Sequence, residues 1–427
     1  MVEPASERGG RSRDAWLLRQ RFLTTGVWGI GAASFLADVG HEIPTALLPS
    51  LLTTTLGAPA SALGLIEGVS DGLAGLARLG GGALADDPAR RRAIAVGGYA
   101  TTAVLGSLTG AARTVWQVGI PRAGAWAARG LRVPARNALL ADIVPPAVYG
   151  RAYGFERAMD NLGAIGGPLL ALFLVGFVGA RTAIGLSVIP GLLSALAIVH
   201  AIHHAPRAEE RERQPVRLQV RPVLRGRLGR IMIGASAFEM GNCAATLLIL
   251  RATGLLSPGR THDQATQLAL GLYVGYNVAA ALASIPAGRL GDRRSPVLSL
   301  SIGVGCFGIA YAGLAAGATT VLALTPWFVA AGVGIGFIET AEHAAVAALA
   351  PAGVRGSAFG LLAAVQSLGN FAASGITGLL WTAVSARAAF VYLALWMAVS
   401  LTLLAATAGG SNATPPTPPG RAPTVDA

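Results

Sequence analysis

Apolar runs close to the roughly 20 residues needed to cross a bilayer recur along the whole chain. The clearest cover residues 93–112, 183–201, 297–315 and 390–407. Six spans precede the polar stretch HHAPRAEERERQPVRLQVRPVLRGR at 203–227 and six follow it. The pattern predicts an all-α integral membrane protein whose 12 transmembrane helices form two six-helix, pseudo-symmetric halves. The expected boundaries are an N-terminal segment at 1–21, bundles at 22–204 and 229–408, a linker at 205–228, and a disordered Pro- and Thr-rich tail at 409–427.

Composition agrees with the pattern. The chain of 427 residues is 53% hydrophobic and 13% charged, about half the charge of an ordinary soluble domain. Its net charge of +12 raises nucleic acid as a partner, but the placement of the charge argues against it. Every basic residue is an arginine, and the arginines gather at 8–21, 90–92, 207–230 and 289–294, with one or two in the loops between. No aromatic residues interleave with them as nucleic-acid binding would require. The alternation is the positive-inside pattern, which puts both termini and the central linker in the cytoplasm of a cell-membrane protein. The Arg-rich start has no short apolar core with a cleavage site behind it, so no cleaved signal peptide is expected. Cys243 and Cys306 both fall in apolar spans and imply neither a disulfide nor a thiolate metal site.

The two halves repeat. Gly82 and Asp86 in GGALADD stand 206 residues before Gly288 and Asp292 in AGRLGDR. At the same offset Pro145, Gly150, Gly154 and Gly163 match Pro351, Gly356, Gly360 and Gly369. One offset held over about 80 residues marks a duplicated unit enclosing a central site. GGALADDPARRR, with Arg90 among its arginines, resembles the loop signature of the major facilitator superfamily (MFS), and GRLGDRR, with Arg293, resembles its counterpart in the second half. GRAYGFERAMDNLGAIGGPLLA is similar to that superfamily's fifth-helix antiporter element at Gly163, Gly167 and Pro168. GLIEG and LRVPARNALLAD resemble a prokaryotic permease subgroup. The sequence departs from the superfamily pattern at Asp87-Pro88, where a basic residue and glycine are usual, and at Ala171-Leu172, where a glycine pair is usual. The resemblance implies the MFS fold, with the first, fourth, seventh and tenth helices lining a cavity. It also implies conformational gating by Gly82, Asp86, Arg90, Gly288, Asp292 and Arg293.

The ionisable residues follow that division. The third, sixth, ninth and twelfth spans carry essentially none inside, whereas the first holds Asp38, His41 and Glu42, spaced on one helical face. The fourth carries Arg122, Arg129, Arg132 and Arg136, the seventh Glu239, and the tenth Glu339, Glu342 and His343. Glu67, Asp71, Glu156, Arg157 and Asp160 on the second and fifth are natural partners for the arginines. A charge at the bilayer centre costs roughly 2.5–3.5 kcal/mol, so these groups must pair or face water. Asp38, His41, Glu42, Arg129, Arg132, Arg136, Glu239, Glu339, Glu342 and His343 are the candidate residues for proton coupling and substrate binding. Asp38 and Glu239 also have a plainer reading as structural partners of the arginines, and His41 and His343 as packed polar residues. Tyr273, Tyr276, Asn277, Gln366 and Asn370 could orient a substrate or bridge helices.

A chain without lysine has no Gly-x-x-x-x-Gly-Lys loop, which excludes transport driven by its own ATP hydrolysis. No nucleophile with a suitably spaced base points to an enzyme, and a receptor would need a sizeable soluble domain. The expectation is therefore a monomeric secondary transporter without cofactor. Its partners are a small organic solute, exported by alternating access, and protons moving in antiport. Divalent-metal export, through DVGHE and ETAEH facing each other, and organic-anion transport, through Arg129 or Arg132, are the alternatives.

Overall fold

The computed structural model describes residues 22–204 and 217–409. The segment 1–21, residues 205–216 of the linker and the tail from 410 lie outside the described residues. Among the described residues the chain forms helices and turns and no strand. The long helices are α1 (Thr25–Ser50), α2 (Ala60–Ala85), α3 (Pro88–Leu108), α4 (Val115–Ile143), α5 (Tyr149–Leu186) and α6 (Val188–His203). They continue with α7a (Gly226–Glu239), α7b (Ala245–Leu256), α8 (His262–Arg293), α9 (Pro296–Ala316), α10 (Val321–Leu349), α11 (Arg355–Ala383) and α12 (Ala386–Gly409).

Short polar side chains start many of these helices by accepting from orphan amides. Thr24, Asp87, Thr114, Ser295 and Thr320 cap α1, α3, α4, α9 and α10, and Thr261 forms a capping box with Gln264 at α8. In α5, Gly179 has φ 77° and ψ 163°, a conformation that L side chains rarely adopt. The break there turns the end of α5 into the sixth crossing, which α6 completes. The twelve crossings are thus α1 to α12, with the seventh broken between Glu239 and Ala245.

Seven helical stretches among the described residues are long and apolar enough to cross a membrane, and the one at Pro146–His203 covers two crossings. Those that fall short are α1, α2, α4 and the broken α7, which carry Asp38, Glu67, the arginines and Glu239. Large apolar side chains stand outward all round, as Leu172 at 75% exposed, Leu282 at 72%, Leu322 at 85% and Phe371 at 78% illustrate. An apolar belt of that extent faces lipid, and the chain is a multi-pass membrane protein.

The halves meet along α2–α11 and α5–α8. At one end the contact is backbone on backbone, where only glycine fits. A Cβ added at Gly82 would lie 2.7 Å from the Gly356 carbonyl oxygen, and one added at Gly150 would lie 2.2 Å from that of Gly288. Further along the same helices, Cβ atoms on Gly68, Gly72, Gly271 and Gly275 would meet nothing within 4 Å. The molecule is sealed at the end bearing the α2–α3 and α8–α9 turns, hereafter the latch end. The linker joins the seal: the turn Val220–Val223 buries Val223, and the Gln219 amide donates to Ser357 Oγ at 3.1 Å.

Candidate functional site

The four arginines of α4 point inward but do different work. Arg122 pairs with Glu67 of α2 at 3.0 Å and donates to Thr45 Oγ1 at 3.1 Å. Arg129 pairs with Asp38 of α1 at 3.2 Å and lies over the Trp126 ring, 5.5 Å from its centroid. Arg136 reaches Glu156 of α5 at 2.8 Å and Asp160 at 3.6 Å. Arg132 takes no carboxylate within 4.0 Å among the described residues; its guanidinium sits 3.9 Å from the centroid of the Tyr99 ring.

These pairs merge into one chain of charge. Glu156, 1% exposed, accepts from Ser34 Oγ at 2.7 Å and from Arg157 Nε at 2.7 Å. Arg157 continues to Asp160 at 3.1 Å and, across to the other half, to Glu339 of α10 at 3.9 Å. Asp38 faces Asp160 as well as Arg129. Arg129, Asp160 and Glu339 keep 20%, 21% and 30% of their side-chain surface, so the chain of charge surfaces at these three residues. Breaking so buried a network is costly. We expect Glu156→Gln, which leaves Arg136 and Arg157 short of a partner, to destabilise the protein by about 3–5 kcal/mol, read as a lowered unfolding midpoint in detergent; an unchanged midpoint would refute it.

The C-terminal half lacks the arginines. Among the described residues Glu239 and Glu342 form no ion pair, and each is answered by an amide: Asn242 Nδ2 donates to Glu239 at 2.9 Å and Gln366 Nε2 to Glu342 at 2.7 Å. Glu239 ends α7a, where the broken helix is held by Asn370 Nδ2 donating to the Asn242 carbonyl at 2.8 Å and by the Ala244 amide donating to Ser374 Oγ at 2.8 Å. The internal repeat reappears in space. Gly163 packs on Asp38, with its added Cβ 2.9 Å from the aspartate Cβ, and Gly369 packs on Glu239 at 2.4 Å. Gly167 similarly meets Glu42 Cβ at 2.4 Å. The fifth-helix glycines therefore bring α5 against α1 at the two carboxyls, and Pro168 follows them inside α5.

Two expectations need correction. His41 and His343 do not face each other. His41 packs edge-on against Trp126 at 4.7 Å, while His343 stacks with Phe359 and Tyr153 and its Nδ1 lies 2.6 Å from the Glu339 carbonyl oxygen. Nor does Arg132 take one of the carboxylates expected to partner the arginines: it turns onto Tyr99 of α3, three positions from Arg129 being enough to change neighbours. Among the described residues no group of three or more His, Cys, Asp or Glu has a metal-holding arrangement.

At the latch end each loop aspartate crosses to the other half. Asp86 accepts from the Ser357 amide at 2.9 Å and from its hydroxyl. Asp292 accepts from the Gly150 amide at 2.6 Å and from Arg151 through its amide at 3.1 Å and Nε at 3.0 Å. Both carboxylates thus meet the first turn of an opposing helix, where unpaired amides favour an anion. Burial lifts the Asp86 carboxyl above its ordinary range, while the two Ser357 bonds pull it down. The arginines expected here act otherwise. Arg90 pairs with Asp87 of its own loop at 3.3 Å, and Arg293 is exposed with no ion pair among the described residues. Arg91 and Arg355 instead converge on Asp142, Arg355 at 3.8 Å. Arg151 and Ser357 themselves stand 206 apart, so the repeat that picked out the aspartates also contained their partners.

Comparison with known proteins agrees with the fold. The family model of the Major Facilitator Superfamily matches residues 30–257 and 252–426. An uncharacterised MFS-type transporter of Methanocaldococcus jannaschii is 26% identical over 374 residues, covering 87% of this chain and 92% of that one. A Mycobacterium tuberculosis protein is 30% identical over 214 residues, 50% of this chain and 51% of its own. Among solved structures, a bacterial homologue of the iron transporter ferroportin in an outward-facing state has a TM-score of 0.73 at 13% identity, covering 91% of this chain and 100% of its own. The human organic anion transporter TETRAN has a TM-score of 0.68 at 14% identity, covering 89% and 99%. At such identities the likeness is one of fold.

Proposed function

The chain belongs to the Major Facilitator Superfamily, and on that premise we propose that it is a proton-coupled antiporter that exports a small organic solute across the cell membrane by alternating access. The observation that carries the reading is the uneven central charge. The N-terminal half balances its carboxyls against arginines, while Glu239 and Glu342 lie buried with one amide each and no ion pair among the described residues. An ionised carboxylate buried without a cation is costly, so these two groups are suited to carry the proton. Arg129, Asp160 and Glu339, each partly open to solvent, are suited to meet the solute. A solute that engaged Glu339 or Arg157 would compete with the link between the halves at 3.9 Å. That competition ties binding to rocking.

The positive-inside distribution assigns the latch end, both termini and the linker to the cytoplasm. The sealed latch then belongs to a state open to the outside, in which protons enter as solute leaves. Gly82, Asp86, Gly288 and Asp292 act as the gate of this cycle, and the transporter works as a monomer.

Organic-anion transport is the second reading, favoured by Arg129, whose guanidinium has one carboxylate partner and whose side chain keeps a fifth of its surface open. Divalent-metal export is the weaker alternative, since the two histidines it needs turn apart.

Everted vesicles with an imposed proton gradient and a fluorescent reporter test the proposal. Organic cations, organic anions, sugars and divalent metals are added in turn, with vesicles of the Glu239→Gln/Glu342→Gln double variant as control. Gradient collapse by one organic class, lost in the variant, is the expected result. Collapse by metals alone, or equal collapse in the variant, would overturn the reading of the substrate or of the site.

A further inference from the structure

Behind the central site, α1, α3, α4 and α6 enclose a void of about 10 Å³ lined by His41, Tyr99, Thr102, Arg122, Arg132 and Ser194 among others. That is about the space of one water-sized guest. The polar atoms around it are unusually unsatisfied. His41 Nε2, the Tyr99 hydroxyl and Arg122 Nε are buried and have no hydrogen-bond partner. Thr102 and Ser194 hydroxyls are committed to the Gly98 and Gly191 carbonyls at 2.7 and 2.6 Å. Arg132, 3% exposed, meets the Tyr99 ring and no carboxylate among the described residues. Its nearest acid on α1, Asp38, is taken by Arg129.

We propose that this void is a binding site for a single small monovalent inorganic anion, of which chloride is the test case. The argument rests on charge as well as space. A buried guanidinium without a counterion costs several kcal/mol, and a neutral water cannot offset it. The free groups at the void are chiefly donors: an arginine N–H, a phenol O–H, and a histidine nitrogen that donates in one tautomer. A halide accepts from all three while neutralising Arg132. Gluconate and sulfate are too large to enter.

The consequence reaches the transport site through α1. His41 lies one turn beyond Asp38 and next to Glu42 on the same helix, so an anion held behind α1 would fix the helix that presents both carboxyls. The void lies behind the solute path, and a change in the other half of the molecule serves as the control below.

The experiment uses full-length protein purified in detergent. Its unfolding midpoint is followed in sodium chloride against sodium gluconate at equal ionic strength, with equilibrium binding of radiolabelled chloride in parallel. We expect the midpoint to rise saturably with chloride and one chloride to bind per chain. Tyr99→Phe, which keeps the ring beneath Arg132 and removes one donor, should weaken binding roughly tenfold. Arg132→Gln should abolish it. Glu239→Gln, in the other half of the molecule, should leave it intact. Equal midpoints in the two salts with no bound chloride would overturn the proposal and leave water as the occupant. Chloride binding that survives Arg132→Gln and Tyr99→Phe, or that is lost in Glu239→Gln, would assign the ion elsewhere. Neither result bears on proton antiport, which the vesicle assay reads by itself.

Discussion

Alanine at position 288 is expected to stop transport while leaving the protein folded. In the sealed state a Cβ on Gly288 would stand 2.0 Å from the Gly150 carbonyl oxygen, and the reciprocal distance from Gly150 is 2.2 Å. Both obstacles are backbone, so no side chain can swing aside. Overpacking costs 1–3 kcal/mol even where neighbours yield, and here relief requires the halves to separate at the latch end. That also removes the three bonds Asp292 accepts from Gly150 and Arg151. Gly288→Ala and Gly150→Ala should therefore populate the state open at the latch end, with turnover falling at least about tenfold. Spin labels at Ala89→Cys and Arg293→Cys, in a background with Cys243 and Cys306 replaced by serine, should report a longer mean distance. Gly72→Ala, whose Cβ meets nothing within 4 Å, is the matched control. Wild-type turnover in Gly288→Ala would mean that this contact is not part of the cycle.

The fold was legible in the sequence because membrane insertion punishes misplaced charge so heavily. Apolar length gave most of the crossings, and the confinement of ionisable residues to certain spans separated helices such as α4 from α9. The repeat at 206 residues made the backbone contact of Gly82 and Gly288 with the opposite half legible in outline, since glycine recurs where chains touch. What stayed hidden was which neighbour a side chain meets. Arg129 and Arg132 differ by three positions, enough to send one to Asp38 and the other to Tyr99 of α3. His41 shares a helical face with Asp38, yet lies against Trp126. Helical pitch fixes a direction about one axis, and the partner depends on how the next helix is placed. The latch partners were hidden for another reason: Ser357 and Arg151 act largely through amides at helix starts, which no side-chain pattern records.

The same asymmetry of charge leads to the second large effect. Glu239→Gln together with Glu342→Gln should abolish proton-driven transport while sparing solute exchange down its own gradient. Glutamine keeps the shape of glutamate and can still bond the amides of Asn242 and Gln366, which now stand 2.9 and 2.7 Å from the carboxylates. No arginine is left unpaired by the change, since neither carboxyl has one among the described residues, so folding should be preserved, in contrast to Glu156→Gln. Without a group to load and release a proton on α7a and α10, solute movement loses its link to the gradient. Everted vesicles should then give no dye response above a tenth of wild type, whereas counterflow of labelled solute should continue at a comparable rate. A normal dye response in the double variant would move the proton to the α1–α5 side, to Asp38 and Asp160. Loss of counterflow as well would identify Glu239 and Glu342 as solute contacts instead. The assignment thus rests on the difference between the two assays, because either one alone would confuse a silent proton site with a damaged solute site.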